Sequence, residues 1–216
     1  MKFFIVRHGE TVWNTEGRFQ GQMDTELNNN GLFQADRLAE RLAGHKFKRI
    51  ISSPLKRAFI TAKKVADACV NADIEVANSL TEINHGDWEG RLACDIQSEW
   101  SDIFRAWHET PEKVTMPGKG GESLSDVMKR TATFVDSLAE TEDDDADVLL
   151  SSHDAVIKVL LCHWLDAPLS SFWRFQIPNC SISVIEAVRD KKPRVLLLGD
   201  AAHIGDPFNR PEQQGL

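Results

Sequence analysis

The sequence predicts an α/β fold, a three-layer α/β/α sandwich around a mostly parallel central sheet. Short apolar runs typical of strands alternate along the chain with segments whose apolar residues recur at helical spacing. Such alternation is typical of parallel strands joined by helices that cover both faces of a sheet. The chain has 216 residues, of which 42% are hydrophobic, so we expect one sizeable core and a single domain over residues 1–216.

Five strands and two helical stripes account for most of this pattern. The predicted strands are Lys2 to Val6, Arg49 to Ser52, Val148 to Ser152, Ser181 to Ala187 and Val195 to Leu198. The first helical stripe is Leu32, Ala35, Leu38, Ala39 and Leu42, and the second is Ala58, Ala62, Val65, Ala66 and Cys69. We expect both stripes to face the core, because their spacing places the side chains on one side of a helix.

A further helix is predicted from Ser123 to about Leu138. Its first residues, Ser-Leu-Ser-Asp, have the spacing of a capping box, in which a serine and an acid satisfy free backbone amides at a helix start. The acidic run from Glu140 to Asp147 is expected to be a solvated connection to the next strand.

The segment from Arg91 to Glu122 breaks the alternation and is predicted to be a small inserted cap. Trp100, Phe104 and Trp107 recur at near-helical spacing, and a glycine-rich run follows them. That run does not match the phosphate loop of nucleotide-binding proteins, so a nucleotide site is not supported. We expect the aromatic residues to pack internally and the cap to form one wall of a substrate pocket.

Composition excludes several classes of partner. The 25 Lys and Arg residues against 33 Asp and Glu residues give a net charge of −8, which argues against nucleic acid and anionic membranes as partners. No apolar stretch is long enough to span a bilayer, and the first residues enter a strand instead of a secretory signal, so a cytoplasmic location is expected. The cysteines lack metal or redox spacing and are expected to be buried thiols: Cys69, Cys94, Cys162 and Cys180.

Three junctions between a strand and the next segment carry groups suited to phosphate. Arg7 and His8 directly follow the first strand, and Gly9 allows a close backbone turn. Arg57 lies just beyond the second strand, in a helix start for which Ser53-Pro54 would supply the cap and the first helical residue. His153 follows a later strand and precedes an amphipathic helix. Because parallel strands end at one edge of a sheet, we expect these groups to converge on one anion.

These motifs identify a resemblance to the histidine phosphatase superfamily, the phosphoglycerate-mutase-like family, over nearly the full chain. The matching positions are Arg7-His8-Gly9-Glu10-Thr11, Trp13-Asn14, Phe19-Gln20-Gly21, Asp24, Leu27, Gly31, Ser52-Ser53-Pro54-Leu55, Arg57-Ala58, Thr61-Ala62, Glu82, Gly86, Trp88-Glu89-Gly90, Pro117-Gly118, Gly121-Glu122-Ser123 and Ser152-His153. The resemblance implies a phosphate site without a metal or other cofactor, and a small phosphorylated metabolite as the substrate. A homodimer is compatible with the sequence, although no residue pattern supports one.

The resemblance also implies a role for each matching residue. His8 would be the phosphorylated nucleophile, and Arg7, Arg57 and His153 would complete the phosphate pocket. Asn14 would contact the same phosphoryl oxygens, and Gln20 with Gly21 would line the substrate side. Glu82 would be the proton donor, for which it must be protonated when the ester oxygen leaves.

Two departures bear on the choice within the family. The chain contains no tyrosine, whereas phosphoglycerate mutases carry one shortly after the proton-donor glutamate, so the branch with α-ribazole and broad-specificity phosphatases is favoured. Asp154 stands where the family usually has glycine after its second histidine. This acid favours the start of a helix, and it can raise the basicity of His153 or repel acidic substrates.

The leading interpretation is a metal-independent phosphatase that hydrolyses small phosphomonoesters through a phosphohistidine on His8. Mutase-type phosphoryl transfer is the first alternative. A metal-dependent HD-type phosphohydrolase, suggested by His153-Asp154, would leave Arg7-His8 unexplained. A noncatalytic phosphate-binding module would leave the nucleophile and the proton donor unexplained.

Overall fold

A six-stranded mixed sheet forms the centre of the computed structural model, which describes residues 1–69, 73–189 and 191–205. The strands are β1 (Lys2–Arg7), β2 (Arg49–Ser52), β3 (Ile74–Val76), β4 (Asp147–Ser152), β5 (Ile182–Glu186) and β6 (Arg194–Asp200). Their spatial order is β3-β2-β4-β1-β5-β6. The first four in this order run parallel, whereas β5 and β6 pair antiparallel, so the predicted mostly parallel sheet is confirmed.

Helices cover both faces of this sheet and make the predicted three layers. The α-helices are α1 (Val12–Glu16), α2 (Asn29–Leu42), α3 (Lys56–Ala68), α4 (Ala93–Glu99), α5 (Ser101–Glu109), α6 (Leu124–Thr141) and α7 (Asp154–Trp164). Phe3 and Ile5 pack in the cluster that contains α6 and α7, whereas Val6 packs in the cluster that contains α2 and α3. Successive side chains of a strand point to opposite faces, so the apolar run of β1 is buried on both sides.

Strand prediction succeeded for the long apolar runs and missed β3. Its three residues, Ile74–Val76, alternate too briefly to give a period, and Val76 is largely exposed. The strand is recognised only through its parallel pairing with β2. At the other edge, β6 runs to Asp200, beyond the predicted end at Leu198.

The buried stripe of α2 starts one residue earlier than predicted. Leu32 is 36% exposed, and Gly31 takes the position that faces the protein. The reason is a close approach of two backbones, because a Cβ built on Gly31 would lie 2.0 Å from the carbonyl oxygen of Glu10. The loop after His8 therefore rests on the first turn of α2, where only a glycine fits.

The start of α3 differs from the predicted serine cap and first-turn proline. The helix begins at Lys56, and the amide of Lys56 donates to Asp24 Oδ1 at 2.7 Å. The hydroxyl of Ser53 accepts from a backbone amide just before the helix at 3.3 Å and also lies 2.8 Å from His153 Nε2. An aspartate from a distant loop thus binds the first helical amide, and the serine connects the helix start to the site. Arg57 lies in the first turn, as predicted.

The predicted capping box at Ser123 is confirmed. Ser123 Oγ accepts from the amide of Asp126 at 3.2 Å, and the Asp126 carboxylate accepts from the amide of Ser123 at 2.9 Å. The helix continues to Thr141, so the acidic run is a loop only after it. Asp147, the last residue of that run, opens β4.

The cysteines are only partly as expected. Cys162 and Cys180 are buried, Cys69 is half-buried and Cys94 is exposed on α4, and all four are free thiols. The prediction was wrong for Cys94, because the second residue of a short helix faces solvent. In the described part of the chain, no helix combines the length and the apolar character needed to cross a membrane.

We expect Gly31→Ala to destabilise the protein by about 1–3 kcal/mol, since the added methyl group must displace the Glu10 carbonyl or shift α2. Urea unfolding with activity and circular dichroism as probes measures the change. The neighbouring exposed Asn30 provides the control, and Asn30→Ala should stay within about 0.5 kcal/mol of the parent protein. Equal stabilities of Gly31→Ala and the parent would contradict this packing.

Candidate active site

Three parallel strands deliver the predicted site residues to one edge of the sheet. In the register of the sheet, Arg7 of β1 faces Ser152 of β4, and Ser52 of β2 faces Ser151. The pairing of β1 with β4 continues one residue further, because the amide of His8 donates to the Ser152 carbonyl at 3.0 Å. The carboxyl ends of β1, β2 and β4 therefore lie side by side, as expected for a ligand site in an α/β sheet.

The two histidines meet at this edge. The ring centroids of His8 and His153 are 5.2 Å apart, and both side chains are buried. His8 Nδ1 lies 2.7 Å from the carbonyl oxygen of Gly9. A carbonyl only accepts hydrogen bonds, so Nδ1 must carry the proton in the neutral ring and Nε2 must hold the lone pair. The arrangement leaves Nε2 as the nucleophilic atom.

Backbone carbonyls accept hydrogen bonds from the two buried guanidinium groups and fix their positions. Arg7 Nη1 donates to the carbonyl of Ile177 at 2.6 Å. Arg57 donates through Nη1 to Met23 at 2.8 Å and through Nη2 to Gly21 at 2.7 Å. The Nε–H groups of both arginines are buried and have no hydrogen-bond acceptor within the described structure. Each arginine is thus anchored and still has a donor to offer to an anion.

Two side-chain amides add donors of the same kind. Asn14 Oδ1 accepts from the amide of Thr11 at 3.0 Å, and Gln20 Oε1 accepts from Thr25 Oγ1 at 2.7 Å. With their oxygens occupied, the amide nitrogens of Asn14 and Gln20 are buried without an acceptor among the described residues. Buried donors without acceptors are costly in a folded protein, which indicates that a ligand supplies the acceptors.

Gly21 connects two loops beside the predicted phosphate pocket. Its carbonyl holds Arg57, and a Cβ at this position would lie 2.1 Å from Glu89 Oε1. Glu89 in turn accepts from the amides of Gln22 and His85 at 2.8 and 3.2 Å. Gly21 therefore lets the loop that carries Gln20 pack against the loop that follows Glu82.

Glu82 is buried at the same site and is fixed through its backbone. Its Oε1 accepts from the amide of Ile83 at 3.0 Å, and its carbonyl accepts from Arg130 Nη2 at 3.1 Å and from Gln22 Nε2 at 3.0 Å. Burial raises the pKa of Glu82, and the charge of Asp154 adds to the increase, whereas Arg57 and Arg7 oppose it. The acid form of this carboxyl is favoured.

Burial and the neighbouring cations have the opposite effect on the histidines. Desolvation, followed by the charges of Arg57 and Arg7, lowers the pKa of His8 well below its ordinary value. Desolvation and the charge of Arg57 are also the leading causes of the lowered pKa of His153. Burial lowers the pKa of Arg57 to about 10, so this group stays cationic at neutral pH. The site therefore combines neutral imidazoles with charged guanidinium groups.

The structure shows the contacts of supporting residues to which the sequence analysis gave no role or a different one. Thr61 Oγ1 accepts from the amide of Gly9 at 3.1 Å, and Asn179 Nδ2 donates to the carbonyl of His8 at 2.9 Å. Ser53 orients His153, and Asp154 contacts Arg7 and Lys158 instead of His153. The sequence did hint at a role for Lys158, because it stands in an apolar helix after His153 and a lysine is rarely buried without a partner.

A metal-binding set is not found in the part of the chain that the structure describes. No three His, Cys, Asp or Glu side chains within residues 1–69, 73–189 and 191–205 are placed to hold one metal ion. The HD-type alternative would need Asp154 as a ligand, but this carboxylate pairs with two cations.

Known proteins resemble the chain over nearly its whole length. Residues 3–201 match the family model of the histidine phosphatase superfamily (branch 1). Phosphoserine phosphatase 1 of Hydrogenobacter thermophilus is 35% identical over 206 residues, which cover 95% of each protein. Phosphoglycerate mutase-like protein 4 of Arabidopsis thaliana is 33% identical over 93% of this chain and 85% of its own length. A mutant phosphoserine phosphatase of Entamoeba histolytica, solved with phosphoserine, has a TM-score of 0.81 at 28% identity, covering 94% and 98% of the two chains.

We expect the imidazoles of His8 and His153 to remain neutral at about pH 5.5, where an ordinary histidine is mostly protonated. Nitrogen-15 NMR of the histidine rings measures their protonation and tautomer, and the His8→Asn and His153→Asn variants assign the signals. For His8, the signal should also report a proton on Nδ1. Titration of either ring near or above its ordinary pKa would contradict the described environment.

Proposed function

Because the chain belongs to branch 1 of the histidine phosphatase superfamily and is a phosphoric monoester hydrolase of that family, we propose that it hydrolyses small phosphomonoesters through a phosphohistidine on His8, without a metal ion. The observation that carries this proposal is the convergence of a neutral nucleophilic imidazole with buried N–H donors that have no acceptor among the described residues. Those donors belong to Arg7, Asn14, Gln20 and Arg57. They suit the oxygens of a phosphoryl group.

In the first step, the lone pair of His8 Nε2 attacks phosphorus and the bond to the ester oxygen breaks. The guanidinium groups of Arg7 and Arg57 stabilise the charge on the phosphoryl oxygens, and neutral His153 donates a further hydrogen bond. Glu82 gives its proton to the leaving oxygen, so the alcohol departs uncharged and Glu82 becomes a carboxylate. The raised pKa of Glu82 favours the protonated form that this step requires.

In the second step, the Glu82 carboxylate takes a proton from water as the water oxygen attacks phosphorus. The bond from phosphorus to Nε2 breaks, inorganic phosphate forms, and His8 returns to its neutral state with the lone pair on Nε2. Glu82 regains its proton. One carboxyl therefore acts as acid and then as base, and the site is ready for another ester.

We further propose that residues 91–122 form a cap over the leaving group. The end of this segment contacts the loop that follows Glu82, since the amide of Glu122 donates to the carbonyl of Asn84 at 3.0 Å and the amide of Asp87 donates to Pro117 at 2.7 Å. Trp107 is fully buried, and its ring contacts Phe172 and Trp173, which attaches the segment to the rest of the domain. The cap is thus positioned beside the proton donor, where the alcohol part of the ester would lie.

Phosphoserine is the first substrate to test. Two similar proteins are phosphoserine phosphatases, and one of their structures contains phosphoserine. The cationic residues of the cap do not identify the substrate further, because Arg91 pairs with Glu99 and Arg105 pairs with Asp102 at the surface.

His8→Asn should abolish hydrolysis, and Glu82→Gln should slow turnover of phosphoserine by about 10²–10⁴-fold through loss of the proton donor. With p-nitrophenyl phosphate, whose leaving group needs no proton, Glu82→Gln should release a burst of one nitrophenol per active site and then stall. Radiolabelled phosphate should then be bound to the protein as an acid-labile, base-stable phosphohistidine.

His163→Asn is the matched control, since His163 is partly exposed and pairs with Asp136 outside the site. It should retain the parent rate. Full activity of His8→Asn, or labelling at another residue, would refute the proposed nucleophile.

Incubation with 3-phosphoglycerate distinguishes hydrolysis from mutase-type transfer. In the presence of EDTA we expect release of inorganic phosphate and no 2-phosphoglycerate, with or without a trace of bisphosphorylated primer. The measurement is phosphorus-31 NMR of the products. Primer-dependent formation of 2-phosphoglycerate would favour the mutase, and loss of activity in EDTA that divalent ions restore would favour a metal-dependent enzyme.

A further inference from the structure

Asp154 forms a buried ion cluster with two cations next to the phosphate site. Its Oδ1 lies 3.2 Å from Arg7 Nη1, and its Oδ2 lies 2.6 Å from Lys158 Nζ. All three side chains are at most 6% exposed. Burial of three charges carries a large desolvation penalty, which suggests that they have a function. Neither Asp154 nor Lys158 takes part in the proposed reaction steps.

We propose that Asp154 is a positioning residue for the phosphatase reaction, which holds the Arg7 guanidinium in its phosphate-binding orientation while Lys158 supplies the compensating charge. This inference rests on the proposed function, because it assigns Arg7 to the phosphoryl group. It concerns a position at which the chain departs from its family, since Asp154 replaces the usual glycine.

The orientation of Arg7 depends on a hydrogen bond and an ion pair at one nitrogen. Arg7 Nη1 donates to the Ile177 carbonyl at 2.6 Å and pairs with Asp154 Oδ1 at 3.2 Å. Two partners at the same nitrogen restrict rotation of the planar group about its long side chain. The buried Nε–H, which has no acceptor among the described residues, is thereby kept in one direction.

Lys158 makes the buried carboxylate tolerable. One helical turn separates Asp154 from Lys158, so the pair closes along α7. The ammonium also lies 5.0 Å from the ring centre of Phe172 and 4.6 Å from that of Trp173. Aromatic faces stabilise a desolvated cation. Because the pair adds one negative and one positive charge, the net positive charge available to a phosphate dianion is unchanged.

The same carboxylate acts on the proton donor. The charged groups that face Glu82 are Asp154 from α7, Arg57 from α3 and Arg7 from β1, and Arg130 from α6 binds its carbonyl. Of these, Asp154 favours the protonated carboxyl, whereas the arginines favour the carboxylate. Removal of the negative charge should therefore lower the pKa of Glu82, whereas Lys158 is not among the groups that shift it.

The test compares Asp154→Asn, Lys158→Met and the double variant in the complete protein, with phosphoserine as the substrate because its leaving group needs the proton of Glu82. The rate falls at high pH when Glu82 loses its proton. We expect this basic limb of kcat/KM to move to lower pH in Asp154→Asn and to stay closer to that of the parent in Lys158→Met.

The double variant removes the carboxylate without leaving an unpaired lysine in the core. Arg7 loses its ionic partner, so inhibition by inorganic phosphate should weaken by at least about threefold and kcat/KM should stay reduced. The exposed pair Lys63–Asp67 has the same spacing on α3 and gives matched controls, Asp67→Asn and Lys63→Met, which should leave both readouts unchanged.

An unshifted basic limb in Asp154→Asn, or parental phosphate inhibition in the double variant, would overturn this inference. Those results would leave the proposed function intact, provided that the parent protein forms phosphohistidine on His8. Absence of that intermediate in the parent would refute the proposed function itself, before any Asp154 variant is compared. Should Asp154→Asn fail to fold, the charge-balanced double variant and Lys158→Met still decide the question.

Discussion

Two guanidinium groups buried at one edge of the sheet determine the electrostatics of the whole site. Arg7 and Arg57 keep their charge although water is excluded, because backbone carbonyls from Ile177, Gly21 and Met23 accept their hydrogen bonds. Burial is the larger cause of the lowered pKa of both histidines, and the charges of these arginines lower it further. The neutral form that this favours is the one in which a histidine can act as a nucleophile.

The fold supplies this arrangement through strand register and through close packing of loops. Parallel pairing of β1 with β4 and of β4 with β2 brings three chain segments to the same level at the sheet edge. Gly31 then allows the loop after His8 to rest on α2, and Gly21 allows the loop under Arg57 to approach Glu89. Precise placement of the donors thus depends on backbone contacts that side chains larger than hydrogen would prevent.

Much of this was predictable from the sequence, for physical reasons that differ between elements. The strand before Arg7-His8 and the capping box at Ser123 are local patterns, and local patterns are well encoded. The edge strand β3 and the exposure of Leu32 depend on pairing and contact with distant segments. The same holds for Ser53, because its hydroxyl could cap a helix by local rules but bonds to His153 from a distant strand end. Asp154 was noticed as unusual, yet its contact with Arg7 required the fold.

The position of Asp154 explains why a lysine occurs four residues later in an apolar helix. At the start of α7 a carboxylate faces the Arg7 side of the site, where a lone negative charge would compete with the phosphate for that arginine. A cation one turn along the same helix offsets this competition without entering the group of donors that would receive the phosphoryl oxygens. The aromatic rings of Phe172 and Trp173 stabilise this buried cation in place of water. A glycine at position 154 would need no such partner, so the aspartate and the lysine are best understood as one coupled feature of this chain.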